Sequence, residues 1–240
     1  MKIIFSRKGF DSGYGGIPSP ILPDGTILSM PIPNEEDHIG YQQLVLPNER
    51  KTYWRVLREL LRNKKLQKGK TKIPLNKHRD YHCHFDPDLR RDALRKGRGK
   101  GWLPSLGQIG AAQGHLRKQG IQEGDLFLFF GWYQFTELRN EKLCYDEDRY
   151  IGGFHMFFGY LQVGNILKSK AIQTRAPSWL KEHPHYRLER RREDKNNAIY
   201  VAAQKLSWNK DLPGGGTFKF HNDSLLSGEI LDLVVIVFSK

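Results

Sequence analysis

An α+β fold is the architecture this sequence predicts: a mixed, β-rich twisted sheet or partly open barrel with a few peripheral helices. Three observations carry it. From Asp125 onward the chain runs through four apolar, strand-sized segments separated by polar or Gly/Pro stretches. Before that point only two segments repeat their apolar residues at helical spacing. No period of about 20 to 50 residues recurs, which excludes solenoids and propellers. A chain of 240 residues can bury one substantial core, so a single domain over residues 1–240 is expected.

Taken in order, Lys2 to Ser6 reads as an opening buried strand. The loop behind it, Arg7 to Gly16, is too rich in glycine for a regular element. Ile17 to Leu22 and Thr26 to Met30 flank Pro23-Asp24-Gly25, and an Asp-Gly pair between apolar runs predicts a hairpin because it tolerates positive φ. Asn48 is placed to cap a helix running to about Leu66. Trp54, Leu57, Leu60 and Leu61 recur on one face of that helix, while Arg55, Arg58 and Arg62 take the others. Residues 62–76 and 89–101 are rich in Lys, Arg, Gln, Gly and Asn and read as solvated basic connectors. Ser105 can cap a second helix reaching about Lys118, with Leu106, Ile109, Ala112, Gln113 and Leu116 inside. Asp125 to Phe135, Phe154 to Ile166, Ile199 to Trp208 and Ile230 to Phe238 then supply the strands.

The formal net charge is +13, and much of the excess lies between Arg50 and Lys118. A surface of that sign favours polyanions, hence nucleic acid or nucleotide, over an anionic membrane. Cys83 and Cys144 are too few for a disulfide framework, which fits a reducing compartment. The opening Met-Lys-Ile-Ile-Phe-Ser is not an export signal. The longest apolar runs, Leu126 to Tyr133 and Leu231 to Phe238, fall well short of the roughly 18 residues a membrane helix needs. A soluble, cytoplasmic protein with no membrane partner is the expectation.

The densest chemistry lies between His78 and Asp88. Every even position there is His or Asp, and extended backbone would put all of them on one face. Imidazole and carboxylate together are the ligands of Zn, Fe or Mn sites, which makes His82, His84, Asp86 and Asp88 candidate ligands for a divalent transition metal. Two other readings stay open: a solvated polar face whose aspartates offset neighbouring arginines, and metal-free acid/base or substrate-binding groups. Arg7, Lys8 and Asp11, set among glycines after the first strand, could cradle a phosphate, or form an ordinary glycine turn. His115, His155 and the pair in His183-Pro184-His185 could complete a site or serve the core. Trp132 and Tyr133 end an aromatic strand, where rings either stack on an extruded base or pack inside. The Arg187 to Arg192 cluster suits phosphate contact or a solvated helix face equally.

Several of these segments together resemble the nucleotide modification associated domain 3 family, found in bacteria and their phages. The stretches are Phe5-Ser-Arg-Lys-Gly-Phe-Asp-Ser, Gly16-Ile-Pro-Ser-Pro-Ile, Phe85-Asp-Pro-Asp-Leu, Gly107-Gln-Ile-Gly-Ala-Ala-Gln-Gly-His-Leu and Gly124-Asp-Leu-Phe-Leu-Phe-Phe-Gly-Trp. Phe154-His-Met-Phe-Phe-Gly-Tyr-Leu-Gln-Val, His183-Pro-His and Asn197-Ala-Ile-Tyr-Val-Ala continue the likeness along most of the chain. Glu229 to Lys240 departs from the Trp/Pro-containing ending of the family. The resemblance implies a DNA-modification or phage-conflict context, with DNA favoured over RNA. It also places Arg7, Lys8, Asp11, Asp86, Asp88, Gln108, His115 and His155 inside family motifs, with His82 and His84 just upstream of one. Gly124-Asp125 and Gly159-Tyr-Leu-Gln-Val are similar, over a short span, to small β-barrels of the PUA and ASCH type, which bind RNA or modified bases.

The leading expectation is therefore an enzyme acting on a nucleobase or nucleotide. In it Asp11, Asp86, Asp88, His115 and His155 would be catalytic or metal-bound, and Arg7, Lys8, Gln108, Trp132 and Tyr133 would hold the phosphate or base. The alternatives are a reader that binds a modified base in an aromatic pocket without chemistry, and a structural nucleic-acid clamp. Nothing in the sequence sets the oligomeric state.

Overall fold

The computed structural model describes residues 1–47, 51–62, 64–76 and 80–226. The chain opens with strands β1 (Ile3–Arg7), β2 (Tyr14–Gly15), β3 (Ser19–Ile21), β4 (Ile32–Pro33) and β5 (Ile39–Gly40). Helix α1 (Tyr53–Leu61) is followed by β6 (Leu66–Lys68), β7 (Thr71–Ile73), β8 (His82–His84) and β9 (Ser105–Gln108). Helix α2 (Gly110–Lys118) leads into β10 (Leu126–Arg139), β11 (Lys142–Tyr145) and β12 (Phe154–Lys168). Short helices α3 (Ser169–Arg175), α4 (Pro184–Arg187) and α5 (Glu189–Arg192) precede β13 (Ala198–Ala202) and β14 (Gly215–Thr217).

The architecture is α+β and β-rich. One mixed sheet runs in the order β1-β10-β12-β13-β9, with β3 and β11 also on β10 and β14 on β12. Among the described residues its ends do not meet, so it is an open sheet rather than a closed barrel. Strands β10 and β12 form the antiparallel spine, irregular at Phe129/Phe130. Both β1 and β3 run parallel to β10, Ile3 opposite Leu126 and Ser19 opposite Tyr133, so one edge of β10 is covered by two strands in succession. Along β10 the residues Phe127, Phe129, Tyr133 and Phe135 enter the core with Met156, Phe158 and Leu161 of β12. A second apolar cluster gathers α1 and the small sheets β2-β6-β7 and β4-β8-β5, and a third lies under α3. No helix among the described residues is long and apolar enough to cross a membrane.

Several elements differ from expectation. The opening strand is a half-exposed edge strand, because β10 is paired on its other side by β12. The Asp24-Gly25 turn forms as expected, with Leu22 N–H on Thr26 O at 2.8 Å and Gly25 at φ 80, but beyond Ile27 the second arm is not a regular strand. Asn48 lies outside the described residues; Thr52 caps α1, its side chain accepting from Arg55 N–H. The helix stops at Leu61, where Arg62 takes φ 49, and Leu66 belongs to a strand. Residues 62–76 thus contain the β6–β7 hairpin as well as connector. Residues 89–101 hold no regular element, yet Leu89, Ala93 and Leu94 are buried. Ser105 begins β9 rather than capping a helix, because Leu106 and Gly107 pair with Tyr200 and Ile199. The strand expected from Ile199 to Trp208 ends at Ala202. His78 and the strand expected from Ile230 to Phe238 lie outside the described residues.

Candidate functional site

Strand β8 is three residues long and lies between β4 and β5, with Ile32 opposite His84 and Ile39 opposite Cys83. Cys83 is buried on one side, so the alternation of extended backbone turns His82 and His84 to the other. Beyond β8 the chain passes through a cis Asp86–Pro87 bond and joins the main sheet at Asp88, whose backbone exchanges two 2.9 Å hydrogen bonds with Ser105. Asp86 therefore sits where the small sheet meets the large one.

Four nitrogens surround this fully buried carboxylate. Gly107 N–H donates to Oδ1 at 2.6 Å, and His183 Nε2 lies 3.2 Å from the same oxygen. Lys8 Nζ, from the residue after β1, lies 3.1 Å from Oδ2, and His84 Nε2 is 3.9 Å from Oδ2. Burial pulls the acid's pKa upward, but Lys8 and then His183 outweigh it and hold Asp86 well below the usual carboxylate range.

The proton positions of the three histidines follow from their partners. His84 Nδ1 lies 2.9 Å from Asp37 Oδ2, a carboxylate that can only accept, so Nδ1 carries the hydrogen and any lone pair of the ring is at Nε2. Asp37 is itself paired with buried Arg191; burial raises its pKa, but His84 and Arg191 together bring it below the ordinary value. His185 Nδ1 meets Asn197 Oδ1 at 2.8 Å, and Asn197 Nδ2 donates back to the His185 carbonyl at 2.9 Å, which sets the amide's orientation. Nδ1 of His185 is thus the donor and Nε2 again bears the lone pair. His183 has the opposite tautomer: its Nδ1 accepts the His185 backbone N–H at 3.2 Å, so the hydrogen is on Nε2, which lies near Asp86 Oδ1 without hydrogen-bond geometry. Burial pushes the His185 imidazole down to about 3, which keeps it neutral at pH 7.

Ligand atoms of His84, Asp86 and His185 all lie within 4.8 Å of one another. The rings of His84 and His185 are 5.4 Å apart, centre to centre. This closeness depends on Gly107, where a Cβ would stand 2.2 Å from the His185 ring. Two imidazoles and a carboxylate, each oriented by a second polar group, are a donor set suited to a Zn or Fe(II) ion.

Of the residues expected from sequence, the structure gathers Lys8, His84 and Asp86 here. Asp88 is turned to Arg98 and to Trp102 Nε1 at 3.3 Å, and Arg98 lies over the rings of Phe85 and Trp102. His82 is half-buried on β8, opposite Gly40. Asp11 closes its own turn, accepting from Gly13 N–H at 2.8 Å and Tyr14 N–H at 2.7 Å. Trp132 and His155 pair across β10 and β12, Trp132 Nε1 donates to Gly152 O at 2.8 Å, and burial with the nearby Arg7 charge lowers the His155 pKa. Tyr133 is wholly buried in the core, Gln108 ends β9 half-buried, and His115 lies half-buried on α2. Asp37 and Asn197 had no part in the expected site, although Asn197 opens one of the family-like stretches. In the arginine cluster, Arg191 is buried on Asp37 and Arg190 pairs with Glu36.

Neither a curated protein nor a solved structure matches the chain. A family model described as nucleotide modification associated domain 3 matches residues 2–230.

Proposed function

Because the chain belongs to the nucleotide modification associated domain 3 family, we propose that it is a metal-assisted enzyme acting on a nucleotide or on a base within nucleic acid, with His84, Asp86 and His185 holding one divalent transition metal. The observation that carries this reading is the matched commitment of both Nδ1–H groups, His84 to Asp37 and His185 to Asn197, which leaves two Nε2 lone pairs beside one ionised carboxylate. Each residue then has a separable role. Asp37 and Asn197 fix the ring orientations and raise the basicity of the ligating nitrogens. Gly107 N–H holds Asp86 through Oδ1, with His183 beside it, leaving Oδ2 on the side of His84. A carboxyl kept so firmly ionised is a ligand rather than a carrier of protons. Three protein ligands leave coordination positions for water and a substrate oxygen, where a bound metal supplies Lewis acidity. The basic surface adds affinity for phosphate without regard to base.

Elemental analysis after dialysis against zinc, iron(II) or manganese tests the proposal. One metal per chain is expected in the wild type and none in His84→Ala or His185→Ala. Asp37→Asn should weaken metal affinity by about 10- to 100-fold, the usual effect of losing a group that orients a ligand. A folded wild-type protein that takes up none of these metals would overturn the enzyme reading and favour a base-binding reader.

A further inference from the structure

The cation already on Asp86 has a consequence for that centre. Lys8 Nζ sits 3.1 Å from Oδ2, the oxygen on the side of His84 Nε2, while Oδ1 accepts from Gly107 N–H and has His183 Nε2 3.2 Å away. The backbone that carries Lys8 is held in place, its N–H donating to Phe130 O at 2.9 Å. Its carbonyl packs so tightly that a Cβ on Gly131 would come within 2.7 Å of it. The freedom left is in the four-carbon side chain, which retains 15% exposure while Asp86 has none. Lys8 can thus reach solvent where Asp86 cannot.

We infer that Lys8 is a tethered cation standing in for the metal at Asp86, and that metal binding displaces its ammonium toward the phosphate of an incoming nucleotide. The inference rests on the metal reading above. An ammonium and a divalent ion cannot share one carboxylate oxygen in a buried site without strong repulsion. The displaced ammonium needs a new anion, and the phosphate of a nucleotide is one that its partly exposed side chain can meet. Metal and phosphate then bind cooperatively, because each favours the arrangement with Lys8 turned outward, and the coupling is the same in both directions. Without metal, Lys8 keeps Asp86 from being a buried, uncompensated charge.

Cobalt(II) titration followed by its visible absorption tests this in wild type, Lys8→Met and Lys8→Gln, the glutamine variant keeping a neutral donor to Asp86. Both variants should bind cobalt about tenfold or more tightly than wild type, within the usual range of coupling between sites. Thymidine 5′-monophosphate should tighten cobalt binding in wild type and leave both variants unchanged, whereas thymidine should act on none. Inorganic phosphate acting as strongly as the monophosphate would assign the coupling to phosphate alone and still support the exchange. Thermal unfolding should show the variants destabilised without metal and restored by it, so a variant unfolded when metal-free is assayed with cobalt present from refolding. Variants binding cobalt no more tightly than wild type, or a monophosphate effect that survives loss of Lys8, would overturn the inference while leaving the metal centre intact. No cobalt binding by any of the folded proteins would overturn both.

Discussion

Asp86 and Asp88 are two residues apart and chemically opposite. Asp86 is surrounded by Lys8 and histidines and stays ionised; Asp88 is matched to Arg98, and burial raises its pKa against the pull of that arginine. Their different partners predict different failures. Arg98→Met strands Asp88 in the interior, and a loss of about 3–5 kcal/mol in urea unfolding is expected, with metal uptake retained. Gly107→Ala acts the other way: the new methyl would lie 2.2 Å from the His185 ring and force it aside. Overpacking of that kind costs about 1–3 kcal/mol, and the same variant should lose metal binding because His185 leaves the cluster. Uptake at the wild-type level in Gly107→Ala would show that His185 is not a ligand. Of these local facts, the sequence showed the histidines and aspartates but not their partners, since Asp37 and His84 are 47 positions apart and Asp86 and His183 are 97 apart.

Helix α1 illustrates how an element is joined to the rest. Trp54, Leu57, Leu60 and Leu61 are buried, as the apolar spacing predicted, and Val56 is buried with them. Its anchor on the polar side is Glu59, which accepts from Lys51 Nζ at 2.7 Å, Arg55 Nε at 2.8 Å and Leu143 N–H of β11 at 3.0 Å. Burial raises the Glu59 pKa, but Lys51, Leu143 N–H and Arg55 outweigh it and bring it below the ordinary value of 4.5. A carboxylate of that kind adds stability above its unfolded pKa, and the contribution disappears as pH falls through the folded pKa. Glu59→Gln should therefore cost about 1.5–3 kcal/mol at pH 7, the range for hydrogen bonds to a charged group. It should also flatten the decline of stability below pH 4.5; chemical denaturation across pH 3 to 7 measures both. The helix was legible because its periodicity is local. The β6–β7 hairpin was not, because its polar composition resembles a solvated linker and β6 is set by pairing with the distant β2.

On the scale of the molecule, the candidate site lies where separately packed parts meet. Asp86 and His84 come from the cluster around α1, Gly107 from the main sheet, and His183 and His185 from the short helices beside the third cluster. Over this frame the charge of +13 predicts that affinity for DNA falls by about tenfold or more between ~50 and ~200 mM salt. A flat salt dependence in a filter or fluorescence assay would remove phosphate contact from the account. Composition and periodicity were enough for the β-rich α+β class, the spine strands β10 and β12 and the first helix, because each depends on neighbours along the chain. The alternating His/Asp run suggested a single ligand face, and two of its members, His84 and Asp86, lie in the proposed site. Folding divided that run: β8 is only three residues long, the chain bends after it, and Asp86 and Asp88 find partners from different elements. Which histidines stand beside a carboxylate, and which carboxylate is matched to a lysine and which to an arginine, depend on contacts between residues far apart in sequence, and only the packed chain brings those together.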